Sequence, residues 1–366
     1  MRTLASLVYS LGALLSGDAT STQLPVMDIG KHEDVAYRID IPQNWNHELV
    51  MFYHGYAVDP VKFPTVAPIS PMFTPLLERG YAVAQSAYSQ TGWAVEQAYA
   101  DTEKLRRHFV DKYGKPKQSW AMGMSMGGAL AALTIESKPD IYAGALSLCG
   151  AIGSSDTMFQ RDFALRAAFD HYFPDLLGPL VPVPADYLPD ARVEAKIAGA
   201  FAAKPEAQQA LLRWYGAAEK KTIAPIIAFN TFEVKEMQQR THGNPFDNSA
   251  LIYVGSGDDA ALNDGVRRYR GDAIAREYVT KWYTPTGSLT RPFLELHDTG
   301  DPLVPASDAS EFAMVVQRTG HGDNFVQKYV NREGHCVFTP AEIAHAFDEL
   351  VEWTRSGQRP ASGKLQ

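Results

Sequence analysis

The stretch WAMGMSMGGAL, Trp120 to Leu130, decides how this chain is read. It sets Ser125 between Gly123 and Gly127, with Gly128 directly behind. QSWAM (118–122) ahead of it is short and strand-like, and SMGGALAALTIESK reads as a helix rich in small residues. A serine at a sharp strand-to-helix turn needs neighbours without side chains, because strand and helix approach closely there. The helix that follows aims free N–H groups and its positive dipole end at the turn. G-x-S-x-G in this setting is what an activated serine requires. The competing reading is a Gly-rich turn that only packs a helix against a strand.

Outward from this point, strand-like and helix-like segments alternate, which predicts an α/β fold with a mainly parallel sheet. DVAYRIDIP (34–42) alternates like a half-exposed strand near the sheet edge, while ELVMFY (48–53), YAVAQSAY (81–88) and YAGALSLCG (142–150) read as further strands. Residues 93–113 have helical periodicity. The alternation stops after about residue 151, and helical pieces with Pro-rich breaks run to about residue 285. DTMFQRDFALRAAFDHYF and NDGVRRYRGDAIAREYVTKWY read as helices there, and GPLVPVPADYLPD as an extended connector. Strand–helix order resumes with RPFLELHD (291–298), FVQKYVN (325–331) and a closing helix over 340–357. The expected organisation is an N-terminal extension (1–29), a core (30–155 and 285–357), an inserted and largely helical cap (156–284), and a frayed tail (358–366).

A serine hydroxyl is a poor nucleophile until a base takes its proton. In folds of this type the partners follow in the order Ser, Asp or Glu, His. His335, in NREGHCVFTP, comes after the strand 325–331, and Gly334 suits a turn that projects it over the sheet. His321 lies at the other end of that strand and His345 within the last helix. LHDTGDPLVP offers Asp298 and Asp301; Asp301-Pro302 opens a turn, so Asp301 is expected to orient the imidazole, with Asp298 as the alternative. Glu295 lies inside the strand and is a poor candidate for the acid. Charge developing on a carbonyl oxygen needs backbone donors already in place. Those expected are the N–H of Met126 and, from the loop HGYAV, the N–H of Tyr56, with Gly55 permitting the turn and His54 bracing it.

HGY, GMSMG, DTGDPLVP and GHC stand in the order found in α/β-hydrolases, and over roughly 30–155 and 285–357 the chain resembles that family. The resemblance implies a mostly parallel eight-stranded sheet with helices on both faces, and a cap that builds substrate specificity. Within the family the chain looks most like secreted-type esterases and peptidases. It departs from the carboxylesterase and hormone-sensitive lipase branches, whose loop is His-Gly-Gly-Gly where this chain has Tyr56. Tannases and feruloyl esterases are similar in tying a cysteine beside the histidine to one immediately before the serine. Here Cys336 follows His335, but Met124 precedes Ser125, so the resemblance implies a bridge from Cys336 to Cys149 at the end of a strand. Two buried free thiols are the alternative.

The charge balance, Lys+Arg 34 against Asp+Glu 42 for a net −8, and the lack of a basic run argue against nucleic acid. No apolar run reaches the roughly 20 residues of a membrane span. No metal or other cofactor is expected: His297, Asp298 and Asp301 cluster in sequence, but alternation along a strand turns neighbouring side chains apart. MRTLASLVYSLGALLSGDATS reads either as a short secretory signal or as an amphipathic first helix, so a secreted or periplasmic site is set against a cytoplasmic one. Among the aromatics of the insertion, Phe159 and Phe163 either pack the cap onto the core or wall a pocket together with Trp93 and Met124. The expected partner is a small-molecule ester, and nothing in the sequence specifies an oligomer. Ester hydrolysis through an acyl-enzyme leads, ahead of a peptidase or amidase and of a non-catalytic binding protein.

Overall fold

The strands are β1 (Val26–His32), β2 (Val35–Ile41), β3 (Glu48–Tyr53), β4 (Ala82–Ser86), β5 (Gln118–Met124), β6 (Tyr142–Leu148), β7 (Phe293–Gly300), β8 (Phe325–Glu333) and β9 (Gly363–Lys364). They form one sheet in the order β1-β2-β4-β3-β5-β6-β7-β8-β9 in this computed structural model, which describes residues 26–63, 69–216 and 222–365. β2 runs antiparallel to both β1 and β4, and every later pairing is parallel. β5, the strand that leads into the Ser125 turn, thus sits at the centre, where a parallel sheet is covered on both faces.

Two expectations at the ends of the chain are corrected. Residues 1–25 of the expected extension lie outside the described residues, but residues 26–29 begin an edge strand that pairs with β2 through seven register positions. The tail does not fray. Gly363 and Lys364 pair with β8, Leu365 donates its N–H to the Tyr329 carbonyl at 2.9 Å, and its side chain is buried. A ninth strand therefore joins the eight that the resemblance implies.

Helices of the sheet unit are α1 (Thr74–Glu78), α2 (Val95–Tyr113) and α3 (Met126–Ser137), followed after the insertion by two near the C-terminus, Ala306–Arg318 and Pro340–Ser356. Alternation along the strands assigns them to faces. Val50, Trp120, Met122 and Leu146 share a buried cluster with Phe347 and Leu350 of the last helix. On the opposite face Tyr53 accepts a hydrogen bond from Thr134 of α3 at 2.9 Å. Each fully buried Leu or Phe in that cluster contributes about 1.5–3 kcal/mol. The last helix starts on a capping box, Thr339 with Glu342, and Pro340 takes its first turn. Glu342 also receives both guanidinium arms of Arg332 at 2.9 Å, so the loop carrying His335 is pinned at each end.

Residues Ser154–Thr284 form a second compact unit. Its helices are α4 (Ser155–Tyr172), α5 (Ala191–Ala203), α6 (Pro205–Tyr215), α7 (Ala224–Arg240), α8 (Asp259–Gly265) and α9 (Ala273–Lys281), which makes the two C-terminal helices α10 (Ala306–Arg318) and α11 (Pro340–Ser356). α4 packs on α7, and Asp162 of α4 accepts from the Asn230 amide of α7 at 2.7 Å. The segment 263–283, read as one helix, is broken between α8 and α9. The Asn248 side chain binds the Arg267 carbonyl and the Tyr269 N–H, groups that a continuous helix would need for its own ladder.

Candidate active site

Ser125 occupies a left-handed turn, φ 57° and ψ −122°, between β5 and α3. Such a conformation is strained for a residue with a side chain and persists only where surroundings enforce it. The enforcement is visible. The Ser125 N–H donates to the Leu148 carbonyl at 3.0 Å, and its own carbonyl accepts from Gly128 and Ala151. A Cβ on Gly123 would overlap the Gly127 carbonyl, and one on Gly127 would overlap the Tyr53 carbonyl. Both glycines are there because backbone fills the space.

His335 Nε2 lies 2.8 Å from Ser125 Oγ, and Nδ1 lies 2.6 Å from Asp301 Oδ2. A carboxylate only accepts, so Nδ1 carries the hydrogen and Nε2 offers its lone pair to the serine hydroxyl. Asp301 is held by its second oxygen, which accepts from the Leu303 and Val304 N–H groups at 2.9 and 3.0 Å. This is the turn that Asp301-Pro302 suggested. Asp298 directs its carboxylate elsewhere, to the Val337 N–H at 3.2 Å. Burial, helped by the Asp301 charge, pushes the Asp298 carboxyl up to about 6.

The loop after β3 passes directly over the serine. A Cβ on Gly55 would stand 3.2 Å from Ser125 Cβ and 3.3 Å from the Met124 carbonyl. His54 stacks on Tyr88 with ring centroids 3.8 Å apart and donates from Nδ1 to the Gly55 carbonyl at 2.7 Å. Burial drives its pKa down to about 4, so the ring is a neutral brace. Beyond it Ala57 bridges Gly92, which carries Trp93 to the same loop. Tyr56 and Met126 are buried, on either side of the serine in the chain path.

A disulfide joins Cys149 to Cys336. The departure at Met124 is accommodated because Cys149 directly follows Leu148, whose carbonyl holds the serine N–H. Cys149, His335 and Cys336 converge, but the sulfur–sulfur bond removes both thiolates as metal ligands.

The remaining expected residues divide between the two units. Trp93 is buried and Met124 half-buried in the sheet unit. Phe159 and Phe163 are on α4 of the helical unit, both fully buried. Phe163 stacks on Phe246 at 5.1 Å and meets Tyr269 edge-on at 5.4 Å, both within the helical unit. What the sequence reading does not suggest is the pairing of Glu295 with His297, which in turn binds the Val304 carbonyl of the Asp301 loop. The available signal was their spacing: residues two apart on a strand share a face.

Among the described residues no helix is long and apolar enough to cross a membrane. Residues 23–200 match a tannase-like family of unknown function (DUF6351). The o-phthalyl amidase of Xanthobacter agilis is 21% identical over 402 residues, covering 89% of this chain and 86% of that protein. Among solved structures, Est1E from Butyrivibrio proteoclasticus aligns with TM-score 0.44 and 12% identity, over 90% of this chain and 99% of its own. The acylaminoacyl peptidase of Pyrococcus horikoshii aligns with TM-score 0.49 and 10% identity, over 92% of this chain but 42% of its own. The strand order, the serine elbow between β5 and α3, and the later acid and histidine loops give this chain the α/β-hydrolase fold.

Proposed function

We propose that the protein is a serine hydrolase that cleaves small carboxylic esters, aromatic or medium-chain on the acyl side, through an acyl-enzyme. The observation that carries this reading is the unbroken hydrogen-bonded line from Ser125 through His335 to Asp301. Ser125 Oγ attacks the substrate carbonyl as His335 Nε2 takes its proton, and Asp301 stabilises the imidazolium. The N–H groups of Met126 and Tyr56, with Gly55 allowing close approach, receive the oxyanion. The alcohol leaves with the proton from His335, and water, deprotonated by the same ring, releases the acid and frees Ser125. Trp93 and Met124 line the acyl side, while Phe159 and Phe163 belong to the helical unit.

Amide hydrolysis is the second reading, and the similarity to an o-phthalyl amidase over most of both chains favours it. The same residues serve, but an amine leaving group must be protonated before it departs, which places more of the barrier on His335. The disulfide fits a secreted or periplasmic protein, since such bonds persist in oxidising compartments.

Labelling with a fluorophosphonate probe, followed by peptide mapping, tests the nucleophile. A single adduct on Ser125 that is lost in His335→Ala is the expected result; no adduct on folded protein refutes it. An ester and an amide of one aromatic acid, compared by kcat/KM, then separate the two readings.

A further inference from the structure

His297 meets an acceptor at each ring nitrogen. It stands two residues after Glu295 on β7, so the pleat puts both side chains on one face. Nδ1 lies 2.8 Å from Glu295 Oε1, and Nε2 lies 2.8 Å from the Val304 carbonyl and 4.0 Å from Asp301 Oδ2. Carbonyl and carboxylate oxygens only accept, so both nitrogens must carry hydrogen, and an imidazole with two is a cation. Burial alone would depress its pKa; the hydrogen bond and charge of Glu295, with the charge of Asp301, push it up to about 9. Neither His297 nor Glu295 reaches solvent. Glu295 Oε1 also accepts from the Gly150 N–H at 3.1 Å, while Oε2 has no partner among the described residues.

We infer that His297 is an imidazolium at neutral pH behind the triad acid, a positioning residue that clamps the Asp301 loop and offsets part of the Asp301 charge acting on His335. The inference rests on the triad proposed above. Val304 closes the circuit, because its N–H donates to Asp301 Oδ1 and its carbonyl accepts from His297. The oxygen of Asp301 nearest His297 is also the one that binds His335. Other groups nearby do not substitute for the cation. Asp298 on the same strand is a carboxyl, Tyr329 beside His297 on β8 is a phenol, and the neighbours from β6 are Ser147 and the bonded Cys149. In low dielectric a buried carboxylate is stabilised by a fixed opposite charge beside it.

Two measurements test this. In protein labelled with 15N-histidine, nitrogen spectra at about pH 8 are expected to show one ring protonated at both nitrogens, unchanged down to about pH 6. The signal disappears in His297→Gln, or moves in Glu295→Gln if the first variant does not fold. Histidines that are all neutral at that pH overturn the inference. In kinetics, His297→Gln keeps a donor for Val304 but removes the charge, so Asp301 holds the protonated form of His335 more strongly. The acid limb of kcat/KM against pH then moves up by about one unit. A profile lowered equally at every pH, with no movement of the limb, also overturns it. Ser125→Ala separates the two levels of argument. If that variant still reacts with the fluorophosphonate, the triad reading has failed. If it does not react while the limb stays fixed in His297→Gln, only the role of His297 has failed.

Discussion

Cys336 is bonded to Cys149, so the residue after His335 is fixed to the end of the strand whose Leu148 carbonyl holds the Ser125 N–H. One covalent link therefore spans 187 residues and joins the loop of His335 to the backbone that supports Ser125. Closing so long a loop restricts the unfolded chain, which stabilises the fold by about 2–5 kcal/mol. The double variant Cys149→Ala/Cys336→Ala is expected to lose that amount in denaturant titration. Its kcat should fall more than its KM rises, because the freed loop carries His335 and not the binding surface. Unchanged kcat in the double variant would show that Arg332 and Glu342 alone hold the loop.

Asp301 and Asp298 compete in the sequence, and their hydrogen bonds separate them. Asp301→Asn should lower kcat about 10³–10⁴-fold, because an amide at that position favours the wrong tautomer of His335. Asp298→Asn keeps an acceptor for the Val337 N–H and should change kcat less than about tenfold. Ser125→Ala should remove the burst of alcohol release and about 10⁶-fold of the rate. Equal losses in the two Asp variants would reassign the acid.

The parts of the site that could be read from sequence are those set by local chain chemistry. Gly123 and Gly127 mark the elbow because backbone occupies their Cβ positions, and Asp301-Pro302 marks a turn that aims a carboxylate. Strands β3, β5 and β6 were legible because both faces are largely buried and most of their residues are apolar. β1 and β9 were missed for the opposite reason. Each is an edge with one partner, VMDIGKH mixes apolar residues with Asp28, Lys31 and His32, and the two residues of β9 have no pattern. The Cys149–Cys336 bond depended on a resemblance that did not match at Met124. Glu295 and His297 were set aside because each was judged alone, as an acid or as a metal ligand, and not as a pair on one face of a strand.

Glycine substitutions distinguish folding from catalysis. Gly127→Ala forces a methyl into the Tyr53 carbonyl, where neither backbone can yield, and should cost more than about 3 kcal/mol or prevent folding. Gly55→Ala meets Ser125 Cβ at 3.2 Å and the Met124 carbonyl at 3.3 Å, a contact that small shifts of the loop relieve. It should fold, with kcat reduced about 10–100-fold as the Tyr56 N–H moves off the oxyanion. Thermal melts and kcat on the same two preparations check both statements. A Gly55→Ala protein of full activity would remove Tyr56 from the oxyanion hole.

Stability should fall as the solution is made alkaline, and His297 sets the window. Its folded pKa, raised to about 9 from an ordinary 6.5, means that the native state binds a proton the unfolded chain releases. The contribution is fully present below about pH 6.5 and is lost as pH rises toward 9, at most about 3 kcal/mol in all. Asp298 acts in the same direction at lower pH. Burial raises its carboxyl to about 6 from 3.8, so ionising it as pH climbs through that range costs the native state. Urea midpoints should therefore decline first between about pH 4 and pH 6 and again between about pH 6.5 and pH 9, and His297→Gln should flatten the second decline. A wild-type protein with level stability across the second range would mean that His297 is neutral, with only one of its two contacts a hydrogen bond.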